Sequence, residues 1–179
     1  VIISVEDLKS QVDCGDMTDT AIQTCLNTIE SVIRKYTHNN FQNRFVRFEA
    51  AASGNQINGT SPYIRVGDTI QITQSQVNDG LYVVTEVTED HLTVDKQLFD
   101  VAVNRITKVE YPADVVQCAV KLFKWEHDFS DKVGIESESE TLSRHSTSVT
   151  YEDSSTLYMG YPTGLLSALT LNQKARCWK

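Results

Sequence analysis

The hydrophobic period of this chain changes twice, and no other feature limits its fold so strongly. Over residues 17–38, Ile22, Cys25, Leu26, Ile29, Val32, Ile33 and Tyr36 recur at three-four spacing, which places them on one stripe of an α-helix. From about residue 44 to 110 the period falls to two. Thr69-Ile70-Gln71-Ile72-Thr73 and His91-Leu92-Thr93-Val94 alternate, and residues 81–87, 44–48 and 101–109 have the β-branched and aromatic make-up of strands. After Tyr111 the helical period returns with Val115, Val116, Ala119, Val120, Leu122, Phe123 and Phe129. A stripe of period 3.6 cannot lie on a pleated strand, so the two patterns belong to different structures.

The expectation is therefore an α+β chain. Residues 1–43 and 111–179 should form a helical core of antiparallel long helices plus terminal helices. Residues 44–110 should form an inserted lobe, a small antiparallel β-barrel or sandwich of about five short strands. Asn58-Gly59, Gly67-Asp68, Asn78-Asp79-Gly80 and Glu89-Asp90 supply its turns.

Capping signals bound the helices. Ser4 followed by Asp7 is a cap for a first short helix, with Ile3 and Leu8 as its hydrophobic staple. Cys14-Gly15-Asp16 stops it. Asp16 or Thr20 should cap the second helix, and His38-Asn39-Asn40 should end it. Pro112 and Asp114 suit the first turn of the third, and Gly134 its stop.

Residues 134–160 read as a flexible arm. Between Asp131 and Asp153 the chain has six acids and two bases and no sustained period, which leaves too little apolar surface for a private core. A last helix opens at Tyr161-Pro162 with Leu165, Leu166 and Leu169 on a narrow stripe. Such a short helix needs cover, and the portal or an adjacent subunit is expected to give it, with Arg176 and Trp178 as edge anchors; the alternative is that it folds back onto the chain's own helices.

The 179 residues carry a net charge of −8 and no Lys/Arg run, which argues against sequence-independent binding to phosphates. No apolar run approaches the length needed to cross a bilayer. The start Val1-Ile2-Ile3-Ser4-Val5, followed by Glu6 and Asp7, lacks the basic flank and apolar length of a signal peptide. A cytosol-made protein without a membrane segment is expected. Cys14, Cys25, Cys118 and Cys177 stand too far apart for a zinc knuckle or a disulfide scaffold and are expected as free thiols.

Chemistry-bearing motifs are scarce. His38, His91, His127 and His145 fall in four different elements. Glu126-His127-Asp128 puts a His beside two acids, but adjacent helical residues do not share a face, and a metal site would need ligands at i and i+4, for which Asp131 is the only candidate partner of His127. The Ser143-Arg144-His145-Ser146 cluster could pair a nucleophile with a base, making a small hydrolase, but it has neither a nucleophile elbow nor an oxyanion loop. It serves better as a contact surface. There is no Gly-rich phosphate loop. No catalytic residue, cofactor or metal is assigned.

Several segments carry a resemblance. Ile3-Ser4-Val5-Glu6-Asp7-Leu8-Lys9, Asp16-Met17-Thr18-Asp19-Thr20-Ala21-Ile22 and residues 111–125 resemble the head-to-tail connector (adaptor, head-completion) proteins of siphophages that infect Gram-positive hosts. So do residues 132–135, 137–146 and 149–151, which look like the family's arm, and Tyr161-Pro162, Leu165-Leu166 and Lys174-Ala175-Arg176, which look like its terminal helix. The resemblance covers about 1–40 and 111–179, and the β-rich insert departs from it. It implies a non-enzymatic virion protein of the neck, assembled in the host cytoplasm as a ring of copies below the portal protein. The ring would extend the channel through which genomic DNA passes without specific binding, and receive the next neck or tail-completion protein. A tail-completion or decoration subunit is the alternative. Arg144, His145, Tyr161, Leu165, Leu166, Leu169, Arg176 and Trp178 are the residues expected at partner contacts.

Overall fold

A computed structural model describes residues 1–129, 137–142, 145–150 and 157–175, the two middle stretches by their backbone. The chain divides into two compact units, one of Val1 with residues 40–111 and the other of residues 2–39 with 112–179.

The architecture corrects the expected fold class. In place of a core of long antiparallel helices carrying a barrel or sandwich, the described residues hold four short helices and a four-stranded antiparallel sheet. The helices are α1 (Val5–Lys9), α2 (Asp19–Thr37), α3 (Ala113–Phe129) and α4 (Thr163–Leu166). Side-chain caps begin the first two. The Ser4 hydroxyl accepts the Asp7 N–H at 3.0 Å and caps α1. Thr18, not Asp16 or Thr20, caps α2: its backbone is extended and its hydroxyl accepts the Ala21 N–H. At the other end His38 turns left-handed, at φ 49°. After α4 the chain tightens into a 3-10 turn, Ser167–Asn172, a geometry that does not propagate far.

In the helical unit the expected stripe of α2 is largely buried: Ile22, Leu26, Ile29 and Ile33 are fully enclosed, and Cys25 and Tyr36 lie at its half-buried margins. It packs on α3, which contributes Val115, Cys118, Ala119, Leu122 and Phe123. The terminal segment closes the open end of α2. The Lys174 N–H donates to the Thr37 carbonyl at 2.8 Å and the Gln173 amide to the Tyr36 carbonyl at 3.4 Å, satisfying two acceptors that the helix leaves orphaned. Residues 137–142 (β5) and 145–150 (β6) pair as an antiparallel hairpin, from Ser137 opposite Thr150 to Leu142 opposite His145. The remainder of the expected arm up to residue 156 lies outside the described residues. Leu157–Tyr158 (β7) pairs with Tyr161–Pro162 (β8), and Tyr158 meets the Tyr36 ring edge-on at 5.3 Å.

The sheet unit is β1 (Gln42–Asn58), β2 (Thr69–Thr73), β3 (Gly80–Val87) and β4 (Leu92–Val109), in the order β1-β4-β2-β3. The two strands expected at 91–94 and 101–109 are one continuous β4. Its C-terminal half pairs with β1 on one side and β2 on the other, and its N-terminal half reaches β3. Bulges let it do so: three register shifts against β1 between Ala50 and Gln56 put extra residues in β4 and bend it. Ile57, Ile70, Ile72, Val84, Leu92 and Ile106 fill the core. Gly80 begins β3 opposite Ile72 instead of forming a turn. Gly59 serves close approach, since a Cβ there would stand 3.2 Å from that of Ala50.

Candidate functional site

The residues expected at partner contacts are placed very differently from one another. Arg144, Arg176 and Trp178 lie outside the described residues, as does Ser143, and His145 is fixed only as a β6 backbone position opposite Leu142. Leu166 and Leu169 have no exposed surface. Spaced by three, they fall on one side of the 3-10 turn, and this segment packs on α2 and α3. The chain thus covers this pair itself, because the segment that follows folds back to cap α2 instead of extending away. Leu165 is half-buried, with its carbonyl 3.5 Å from the Cys118 sulfur, and Leu171 is the exposed leucine of the segment.

Tyr161 joins the terminal hairpin to α3. It is buried, and its ring lies 5.8 Å from that of Trp125 at 55°. The Glu126 carboxylate lies near its hydroxyl. Burial, and then the negative charge of Glu126, push its pKa far up, so it is a permanent donor at neutral pH.

Beside this pair is a hollow of about 330 Å³ lined by Met17, Cys25, Phe123, Glu126 and His127. α2 contributes Cys25 and α3 the last three, while Met17 comes from the turn before α2. Its walls are apolar at Met17, Cys25 and Phe123 and polar at the Glu126 carboxylate and the His127 imidazole. Burial, reinforced by Glu126, pushes the Cys25 thiol up to about 11. A thiol so held is neither an activated nucleophile nor a ready metal ligand. A second hollow of about 300 Å³ shares His127 and adds Asp13, Lys124 and Asp128. His127 Nδ1 lies 2.9 Å from Asp128 Oδ1 at the end of α3. Among the described residues no cluster of His, Cys, Asp and Glu is arranged to hold a metal ion, and no helix is long and apolar enough to cross a membrane.

Such a hollow can receive one apolar side chain, with a cation beside it to meet Glu126. Sequence reasoning missed it. Cys25 at the margin of the α2 stripe and Glu126-His127 on α3 were visible as residues, but nothing local shows that they converge.

The sheet unit holds a second feature that the sequence hides. Asn43 of β1 pairs with Lys108, yet the next pair is Arg47 with Thr107, so Arg44, Phe45 and Val46 are extra residues on β1. Val46 turns into the core, and Phe45 stands 99% exposed.

No protein-family model matches the chain, and no curated protein matches it.

Proposed function

We propose that this chain is a structural subunit of the neck of a tailed phage, a head-to-tail connector that assembles in copies below the portal protein, extends the DNA channel and receives the next neck or tail-completion protein. One observation carries the reading beyond the sequence. The two stretches that resemble connector proteins, about 1–40 and 111–179, are separated by some seventy residues, yet residues 2–39 and 112–179 form a single compact unit. The part that departs from the family, the insert, is the other unit. A resemblance scattered by chance along a chain has no reason to coincide with a spatial unit. The surface also suits assembly better than chemistry: a largely apolar hollow with a carboxylate on its wall, and a protonated thiol in place of an activated one.

The direct test mixes the purified protein with its portal protein and images the product by negative-stain electron microscopy. A ring added to the tail-facing side of the portal is expected. Failure to bind portal, combined with binding to tail tubes, would make the protein a tail-completion subunit instead.

A further inference from the structure

Phe45 is the most exposed aromatic side chain of the sheet unit, where no other large apolar side chain among the described residues exceeds 68% exposure. Its exposure is built in. β1 is an edge strand, and bulges on edges serve to re-aim a side chain. The Phe45 N–H donates to Asn43 Oδ1 at 3.0 Å, which fixes the turn of the bulge. On the far side, Arg47 Nε donates to the Thr107 hydroxyl at 3.0 Å and its Nη2 to Gln42 Oε1 at 3.3 Å. Val46 anchors the bulge in the core. A rigid mount therefore presents a phenyl ring to solvent, the arrangement expected of an interface anchor. Arg44 beside it is exposed and has no ion-pair partner among the described residues.

The helical unit has the complement. Its hollow is apolar at Met17, Cys25 and Phe123 and carries the Glu126 carboxylate beside the His127 imidazole. The adjoining hollow adds the carboxylates of Asp13 and Asp128 against the single ammonium of Lys124. A carboxylate offers a guanidinium two acceptor oxygens in a matching fork.

We infer that copies of this chain join head to tail through Phe45, its ring entering the Met17–Cys25–Phe123 hollow of the next copy while Arg44 meets Glu126 there. The occupant is a second copy because the chain carries both halves of the contact, matched in apolar character and in charge. An aromatic knob with cationic flanks faces an apolar hollow with an acidic rim. The two halves are different surfaces, so the contact is heterologous, and a heterologous contact repeats from copy to copy and closes into a ring when the rotation allows. The inference deepens the connector reading and rests on it for the ring.

Sedimentation velocity of the full chain over a concentration series tests the contact. Wild type should self-associate. Phe45→Ser should weaken association by more than about tenfold and leave thermal melting unchanged, since the side chain it removes touches almost nothing. Arg44→Glu and Glu126→Arg should each weaken association, and mixing the two variants should restore it, because each bad charge pair is then replaced by a good one. Where Glu126→Arg lowers the melting temperature, Glu126→Gln keeps the shape of the side chain without its charge and should still weaken association severalfold. Undiminished association of Phe45→Ser, a mixture no better than its parts, or wild type that stays monomeric throughout would each overturn the contact. Capture on portal particles separates the two ideas. Complete rings of Phe45→Ser on the portal would sink this contact and leave the connector reading standing. Wild type that associates through Phe45 but never binds portal would do the reverse.

Discussion

The side-chain amide of Asn78 donates to the side-chain oxygen of Asn104 at 3.1 Å, across twenty-six residues, where both are buried in the sheet unit. Neither amide is left wanting. Asn104 also donates to the carbonyls of Ala50 and Val101. Asn78 clasps the backbone of Phe99 from both sides, accepting its N–H at 2.8 Å and donating to its carbonyl at 2.9 Å. The pair holds the bent stretch of β4 in place, satisfying backbone groups that the bulges remove from the ladder.

Asn104→Leu should therefore destabilise the protein although it adds apolar volume. Each buried group left unpaired costs about 1–3 kcal/mol, and denaturant unfolding will register the loss. A double-mutant cycle with Asn78→Ala should show coupling of roughly 0.5–3 kcal/mol. Additive losses would mean that the two amides act separately.

Leu166 and Leu169 are enclosed by their own unit, so their replacement should be felt without any partner. Leu166→Asp/Leu169→Asp should lower the melting temperature of the isolated protein by many degrees, and Leu169→Ala alone should cost about 2–5 kcal/mol. Unchanged melting together with lost portal binding would return the pair to an external contact.

Lys108 is largely buried, with Nζ 2.9 Å from Asp68, 3.4 Å from Glu110 and 3.0 Å from the Tyr63 carbonyl. Burial alone would lower its pKa, but hydrogen bonds and attraction from Asp68 and Glu110 outweigh it, and the value rises above the ordinary 10.5. A raised folded-state pKa contributes stability that is whole below pH 10.5 and lost as pH climbs through the folded-state value. The stability difference between wild type and Lys108→Met should be constant from pH 7 to 10 and shrink above that. A difference that grew with alkalinity would contradict the sign.

Burial pushes the Cys25 and Cys118 thiols up to about 11. Their thiolate fraction at pH 8 is then about one in a thousand. Alkylation of either in the native protein, followed by mass spectrometry, should run about a hundredfold slower than in the unfolded chain and accelerate about tenfold per pH unit. Labelling at the unfolded rate at pH 8 would show the helical packing to be open.

Local chemistry was legible where a single segment decides its own state. The Ser4 cap, the stripe from Ile22 to Ile33 and the alternation of Thr69–Thr73 depend on neighbours a few residues away, and each stands where its pattern puts it. The helix cap at Thr18 was misjudged by two residues because several hydroxyl and carboxyl side chains compete there and only backbone geometry chooses.

What the sequence by itself determined is the kind of each main element and the face it buries, since propensity, period and capping are local and add up within a turn or a strand. Tertiary structure alone decided the rest. β4 runs unbroken through residues 95–100, which lack a strand pattern, because β1 pairs with it across bulges. The helices form no long antiparallel core: α1 and α4 span only five and four residues, and the terminal segment folds back on α2. Phe45 is outermost because three residues of β1 have no partner on β4, and Cys25 meets Glu126 only because α2 and α3 pack together. These outcomes depend on contacts between residues far apart in the chain, whose energies no local pattern records.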